Sequence, residues 1–338
     1  MENQKKFEGQ IECISILRVI GALGIALYHI GTFNDYITTL QAGVSLFFCI
    51  SAFLMMYTTQ KRASDHYILK RLIRIIPLYW IMTAFTFAAM QFATSISTGG
   101  IPEFIKSLLF VPYVRHALKS ADVVRPMVGP AWTLYYDVYL TFIFGTCMRI
   151  SHKYRGVLTI GACTALLLIQ NKFGPEYPFL FILAQPWWLS FVVGICVFYV
   201  VRYVWNKKVT ASLKIILGIF AAVALMLMFL SDMNIFRNAV LSGIALISVI
   251  LAFKKQTMPR TINFLGKISF SFYMIHYYVI LIVEKVIDLK VASIKSMCAI
   301  ALILSVSIVL AGIANYLMED KFSCFLKKKL CGDLRGEK

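Results

Sequence analysis

Apolar runs of about 20 residues recur along the whole chain, and no other feature limits the possible folds so tightly. Coiled as a helix, a run of that length spans the hydrocarbon of a bilayer. The excess of apolar residues, 59% against only 15% charged, is too large for a thicker soluble core. The runs predict transmembrane helices over 12–33, 41–59, 75–94, 131–149, 156–171, 178–201, 213–231, 237–253, 265–284 and 296–318. The fold class expected is therefore an all-α integral membrane protein, a bundle of about ten transmembrane helices.

Charge sets the orientation. The net charge of +18 would suggest nucleic acid in a soluble protein. Here Lys and Arg lie mainly in short loops between apolar runs, so a nucleic-acid partner is not expected. With the N-terminus inside, about 24 of the 34 fall in cytoplasmic segments and about 9 outside. That asymmetry predicts a multi-pass protein of the cell's inner or plasma membrane, N-in and C-in. Residues 1–320 read as one membrane-embedded domain and 321–338 as a basic cytoplasmic tail, including Lys327 to Lys329, resting on lipid headgroups. No soluble domain is expected beyond it. The polar start, Met1 to Gln10, has no cleavage pattern after it, so the first run reads as a retained helix.

The longest loop, Ser95–Pro130, would lie outside the cell. Its segment Pro102 to Phe110 reads as a short amphipathic helix at the interface, either covering a site or acting as a spacer. The eight cysteines show no metal-ligand or CxxC spacing, and no metal site is expected.

Charged and titratable residues within apolar helices are costly and are functional candidates by default. Helix one carries Arg18 and His29, eleven residues and roughly 16 Å apart on one face, because eleven residues make about three turns. Arg18 near the cytosolic end can meet a phosphate or snorkel; His29 deeper in can titrate or simply pack. Arg71 and Arg74 share a face at the expected N-terminal end of helix three, with Pro77 in its first turn. Such a terminus suits phosphates, though the pair also reads as ordinary inner-side charge. Asp137 is placed one to two turns below the outer surface, near the depth of His29. It can orient that imidazole or serve as a packing partner. His276 lies in helix nine.

These pieces together resemble the acyltransferase-3 family of membrane acyltransferases. The matching segments are Arg18-x10-His29, Gly43 to Leu54 with Ser51, Arg71-x-x-Arg74 followed by Ile-Ile-Pro-Leu-Tyr-Trp, Trp132 to Asp137, and Gly266 to His276. They occur in family order over most of the chain. The resemblance implies a ten-helix fold and an acyl-CoA donor, usually acetyl-CoA. It implies an acceptor hydroxyl on a cell-surface glycan or its lipid-linked precursor. It also implies donor use or catalysis for Arg18, His29, Arg71 and Arg74. Ala52 stands where the family has Gly, Thr133 where it has Ser, and Asp137 where it has Glu.

The expected mechanism holds the nucleotide phosphates on Arg71 and Arg74, with Arg18 guiding the arm of the donor. His29, oriented by Asp137, takes the proton of the attacking hydroxyl. Ser51, Tyr135 and Tyr273 are the candidate oxyanion donors, and His276 a further candidate for the site. The rival reading is a small-molecule or glycan transporter; against it stand the missing internal repeat and the lack of helices broken by paired Gly and Pro.

Overall fold

The computed structural model describes residues 11–31, 42–60, 66–92, 100–115, 123–231, 234–254, 256–287 and 294–331. Met1 to Gln10 and the last seven residues of the expected tail lie outside them, as does part of the long loop. Each predicted apolar run is helical over most of its described residues, because a helix satisfies its own backbone and needs no water to do so. The helices are α1 (Ile14–Gly31), α2 (Gly43–Thr58), α3 (Tyr67–Phe92), α4 (Ile101–Leu108), α5 (Trp132–Ile150), α6 (Arg155–Leu168) and α7 (Pro178–Leu183). They continue with α8 (Trp188–Val204), α9 (Ala211–Leu230), α10 (Ile235–Phe253), α11 (Arg260–Glu284), α12 (Ile294–Ala314) and α13 (Ser323–Cys331). Among the described residues, seven helical stretches are long and apolar enough to cross a membrane; α2 and α6 are apolar but shorter. Ile215, Phe220 and Leu230 of α9 and Val309 of α12 are exposed, as lipid-facing side chains are.

The chain forms two compact units, residues 1–60 with 189–309 and residues 61–188 with 310–338. In the first, α1 and α11 run parallel. Gly266 lies against Ser15, where an added Cβ would come within 2.5 Å of the Ser15 Cβ. Near the far ends, the ring of His29 meets that of Tyr277. Ahead of α1, Glu12 accepts hydrogen bonds from Met258 N (2.8 Å) and Asn263 Nδ2 (2.7 Å), tying the start of one helix to the start of the other. Gly194 of α8 faces α2, where a Cβ would fall 2.9 Å from that of Ala52. The methyl that Ala52 adds to the family pattern is therefore accommodated by a glycine opposite it.

In the second unit α3 begins at Tyr67, eight residues before the expected start. A charged turn can extend a helix beyond the apolar window that reveals it. Pro77 accordingly sits inside α3 and not in its first turn. It has no N–H to give the carbonyl one turn earlier. Ser323 Oγ fills the place, 2.9 Å from Ile73 O and 2.8 Å from Met318 O. Between α12 and α13 the helix widens to a π-helix over Asn315–Phe322. Residues 294–331 thus form one helical stretch.

The run read as one helix over 178–201 is broken between α7 and α8. Pro186 sits in the break, and Trp188 Nε1 donates to Leu183 O at 2.8 Å, satisfying a carbonyl freed there. The described part of the long loop packs against α3 and α5. Glu103 caps α4 by accepting from Gly100 N at 2.7 Å. Tyr79 Oη donates to Ser107 O at 2.7 Å, and Trp80 Nε1 to Leu108 O at 2.9 Å. Ile101, Ile105 and Leu109 point outward, giving the amphipathic character expected of this segment. A two-residue ladder, β1 (Val114–Arg115) with β2 (Val123–Val124), pairs antiparallel beyond it.

Candidate functional site

His29 lies in the last turn of α1 within a nest of rings. Its imidazole centre is 5.3 Å from Tyr28, 5.2 Å from His276 and 5.3 Å from Tyr277. The parallel course of α11 brings two successive residues, His276 and Tyr277, to this one position. His276 is wholly buried, stacks on Phe272 at 5.6 Å, and places Nδ1 3.0 Å from the Phe272 carbonyl. Tyr273, one turn earlier on α11, has its ring 6.0 Å from that of His276. Arg18 sits on α1 roughly 16 Å along the axis from His29, half-buried, in this same unit. Ser51 is half-buried on α2.

Arg71, Arg74, Asp137 and Tyr135 belong to the other unit. Arg71 Nη2 donates to both carboxylate oxygens of Asp137, at 2.8 and 3.1 Å. Its Nε donates to Thr141 Oγ1 at 2.9 Å, and the Thr141 hydroxyl donates to the Asp137 carbonyl at 2.7 Å. The side chains of Arg71 and Asp137 are 20% and 16% exposed, so the pair is strongly held. Asp137 therefore faces the second turn of α3, where Arg71 lies. A carboxylate on an apolar helix takes the cation within bidentate reach, and here that cation is Arg71. Arg71 and Arg74 are one turn apart, as expected, but neither lies at a helix N-terminus, since α3 starts earlier. Arg74 is 45% exposed and makes a 3.4 Å contact to Glu319. Tyr135 is buried, its hydroxyl 3.5 Å from Val111 O on the long loop. Among the described residues no group of three His, Cys, Asp or Glu side chains could hold a metal ion.

Sequence reasoning missed two pairings. His29 with His276 could have been suspected, because both lie in the outer halves of helices predicted to run in the same direction. Arg71 with Asp137 had no such signal.

The chain matches a family model described as an acyltransferase domain over residues 11–316. It belongs to the acyltransferase-3 family and is a multi-pass membrane acyltransferase. It is similar to the exopolysaccharide production protein ExoZ of Rhizobium meliloti (strain 1021), 25% identical over 303 residues, covering 85% of this chain and 90% of the relative. No solved structure matches it.

Proposed function

We propose that this protein is a membrane O-acyltransferase that moves an acyl group, acetyl by preference, from cytosolic acyl-CoA to a hydroxyl of an extracytoplasmic or lipid-linked polysaccharide. The observation that carries the reading is His29, a titratable ring in a nest of aromatic and imidazole side chains, three helical turns along one face from Arg18. The relative's role in exopolysaccharide production supports the choice of acceptor.

The reading takes ten spans with both termini cytoplasmic. Parallel α1 and α11 fit it, since helices crossing in the same direction need an odd number of crossings between them. Acyl-CoA stays on the cytosolic side, where Arg74 and Arg71 meet its phosphates and Asp137 holds Arg71 in position. Arg18 guides the pantetheine arm into a hydrocarbon layer about 30 Å thick, which brings the thioester toward His29. His29 accepts the proton of the acceptor hydroxyl as that oxygen attacks the thioester carbonyl. The C–O bond forms, the C–S bond breaks, and the electron pair leaves on sulfur. The proton then passes from His29 to the thiolate and yields CoA thiol. Ser51 and Tyr273, on helices of the same unit, are the candidates to stabilise the oxyanion. Tyr135 contributes less on this reading, because its hydroxyl faces the long loop.

The test is mass spectrometry of surface polysaccharide from cells with and without the gene. An acetyl substituent present only with the gene is expected; identical polysaccharides, with CoA-ester turnover absent from the purified protein, would end the proposal.

A further inference from the structure

His276 holds an atom that the proposed reaction leaves unused. Its Nδ1 lies 3.0 Å from the Phe272 carbonyl. A carbonyl only accepts, so Nδ1 carries the hydrogen, and in the neutral ring Nε2 is left as a bare lone pair. That nitrogen is buried and, among the described residues, meets no hydrogen-bond donor. Buried polar atoms without a partner are rare in folded proteins and call for an explanation. Phe272, stacked on one face of the ring, has no donor to offer. Two neighbouring rings carry donors, Tyr273 at 6.0 Å and His29 at 5.2 Å, and His29 is the nearer. The His29 and His276 ring centroids are 5.2 Å apart and their planes are tilted by 44°, so the rings are direct neighbours. Catalytic hydrogen bonds are often long before substrate binds and tighten in the complex.

We infer that His276 is the positioning residue for His29: its Nε2 receives a hydrogen bond from one ring nitrogen of His29 and so leaves the other as the base. This rests on the acyltransferase reading above. The helix carbonyl of Phe272 sets the tautomer of His276, and His276 in turn sets that of His29. A carboxylate usually fills this place in a base and orienter pair. A neutral imidazole orients without strongly holding the positive charge that His29 gains. Return of the proton to the CoA thiolate is then not opposed by an ion pair. No covalent bond is made or broken by His276; it accepts one hydrogen bond from His29 while the base acts.

The experiment uses the purified full-length protein in lipid nanodiscs. Radiolabelled acetyl-CoA is the donor, and surface polysaccharide from a strain lacking the gene is the acceptor. His276→Phe keeps the volume and removes the acceptor atom; it is expected to lower kcat about 100-fold, the cost of a misdirected base, with KM for acetyl-CoA unchanged. His276→Gln, whose side-chain oxygen can replace Nε2, is expected to recover most of that loss. A purely structural role would not separate Phe from Gln in this way. Ring-nitrogen chemical shifts of isotope-labelled histidine in the unmodified protein give a second reading that needs no variant to fold. They should show His276 protonated on Nδ1 and His29 hydrogen-bonded through one nitrogen. Parental kcat in His276→Phe, equal loss in Phe and Gln, or a His276 ring protonated on Nε2 each overturns the inference. If His29→Gln is inactive while His276→Phe is fully active, only the positioning role falls. If the unmodified protein transfers no acetyl, the acyltransferase reading falls and takes this role with it.

Discussion

Changing Asp137 to Asn tests the clamp that holds Arg71. In the structure that carboxylate takes two charge-assisted bonds from one guanidinium nitrogen, 2.8 and 3.1 Å long. Both side chains are mostly out of solvent, at 20% and 16% exposure. Loss of the negative charge leaves Arg71 with the Thr141 hydroxyl and an amide in place of its counter-ion. Breaking a fully buried pair from one side costs about 3–5 kcal/mol, and a single charge-assisted bond about 1.5–3. For a pair with this residual exposure the expected cost is about 2–4 kcal/mol. The chain carries its own reporters: Cys147 and Cys163 are buried and free in the same unit. A thiol-reactive dye followed during a thermal ramp should therefore show earlier exposure in Asp137→Asn. The double variant Arg71→Gln with Asp137→Asn should regain part of the loss, because no uncompensated charge remains. A single variant as stable as the parent, or a double variant whose losses simply add, would refute the clamp.

Three further outcomes follow from the geometry. Ser323→Ala removes the hydroxyl shared by the Ile73 and Met318 carbonyls and should cost about 1–2 kcal/mol in the same thermal assay; no change would mean that the carbonyl opposite Pro77 is satisfied otherwise. The backbone N–H of Met258, then the Asn263 amide, hold the Glu12 carboxyl below its ordinary value of 4.5. A depressed folded value gives stability that is present above the unfolded value and lost as pH falls through the folded one. Melting temperature should accordingly fall on acidification below about pH 4.5 more steeply in the parent than in Glu12→Gln, and parallel curves would contradict it. On the proposed orientation with both termini cytoplasmic, Cys324 should resist impermeant thiol reagents in intact cells and a cysteine placed at position 120 should be labelled; the reverse pattern would overturn the orientation.

Much of this architecture was legible in the sequence because hydropathy is a local property. Each apolar run from α1 to α12 is helical over most of its described residues, since a helix satisfies its own backbone in an apolar setting. Errors fell where a window average hides a single residue. The charged turn before Ile75 masked the true start of α3, and apolar neighbours of Pro186 masked the break between α7 and α8. The candidate residues were legible as types: Arg18, His29, Arg71, Asp137 and His276 stand out against their helices. Their partners were not. Arg71 and Asp137 are 66 positions apart, and Ser323 reaches a carbonyl 250 positions away. Such pairings depend on which helix faces lie together, and periodicity within one helix does not encode that. Asp137 shows the consequence most clearly, since counting turns along α5 named no partner for it while the structure sets it 2.8 Å from Arg71.

The central claim is that His29 is the base that allows a hydroxyl to attack an acyl-CoA thioester. A packing histidine would accept Gln with partial function, because an amide replaces part of its hydrogen bonding; a base would not, because an amide does not titrate near neutrality. The direct measurement is acetyl transfer by purified His29→Gln, alongside its equilibrium binding of acetyl-CoA. The account predicts unchanged donor binding with transfer lowered at least 10²–10⁴-fold, the range for loss of a general base. Transfer above about a tenth of the parental rate, well outside that range, would contradict it.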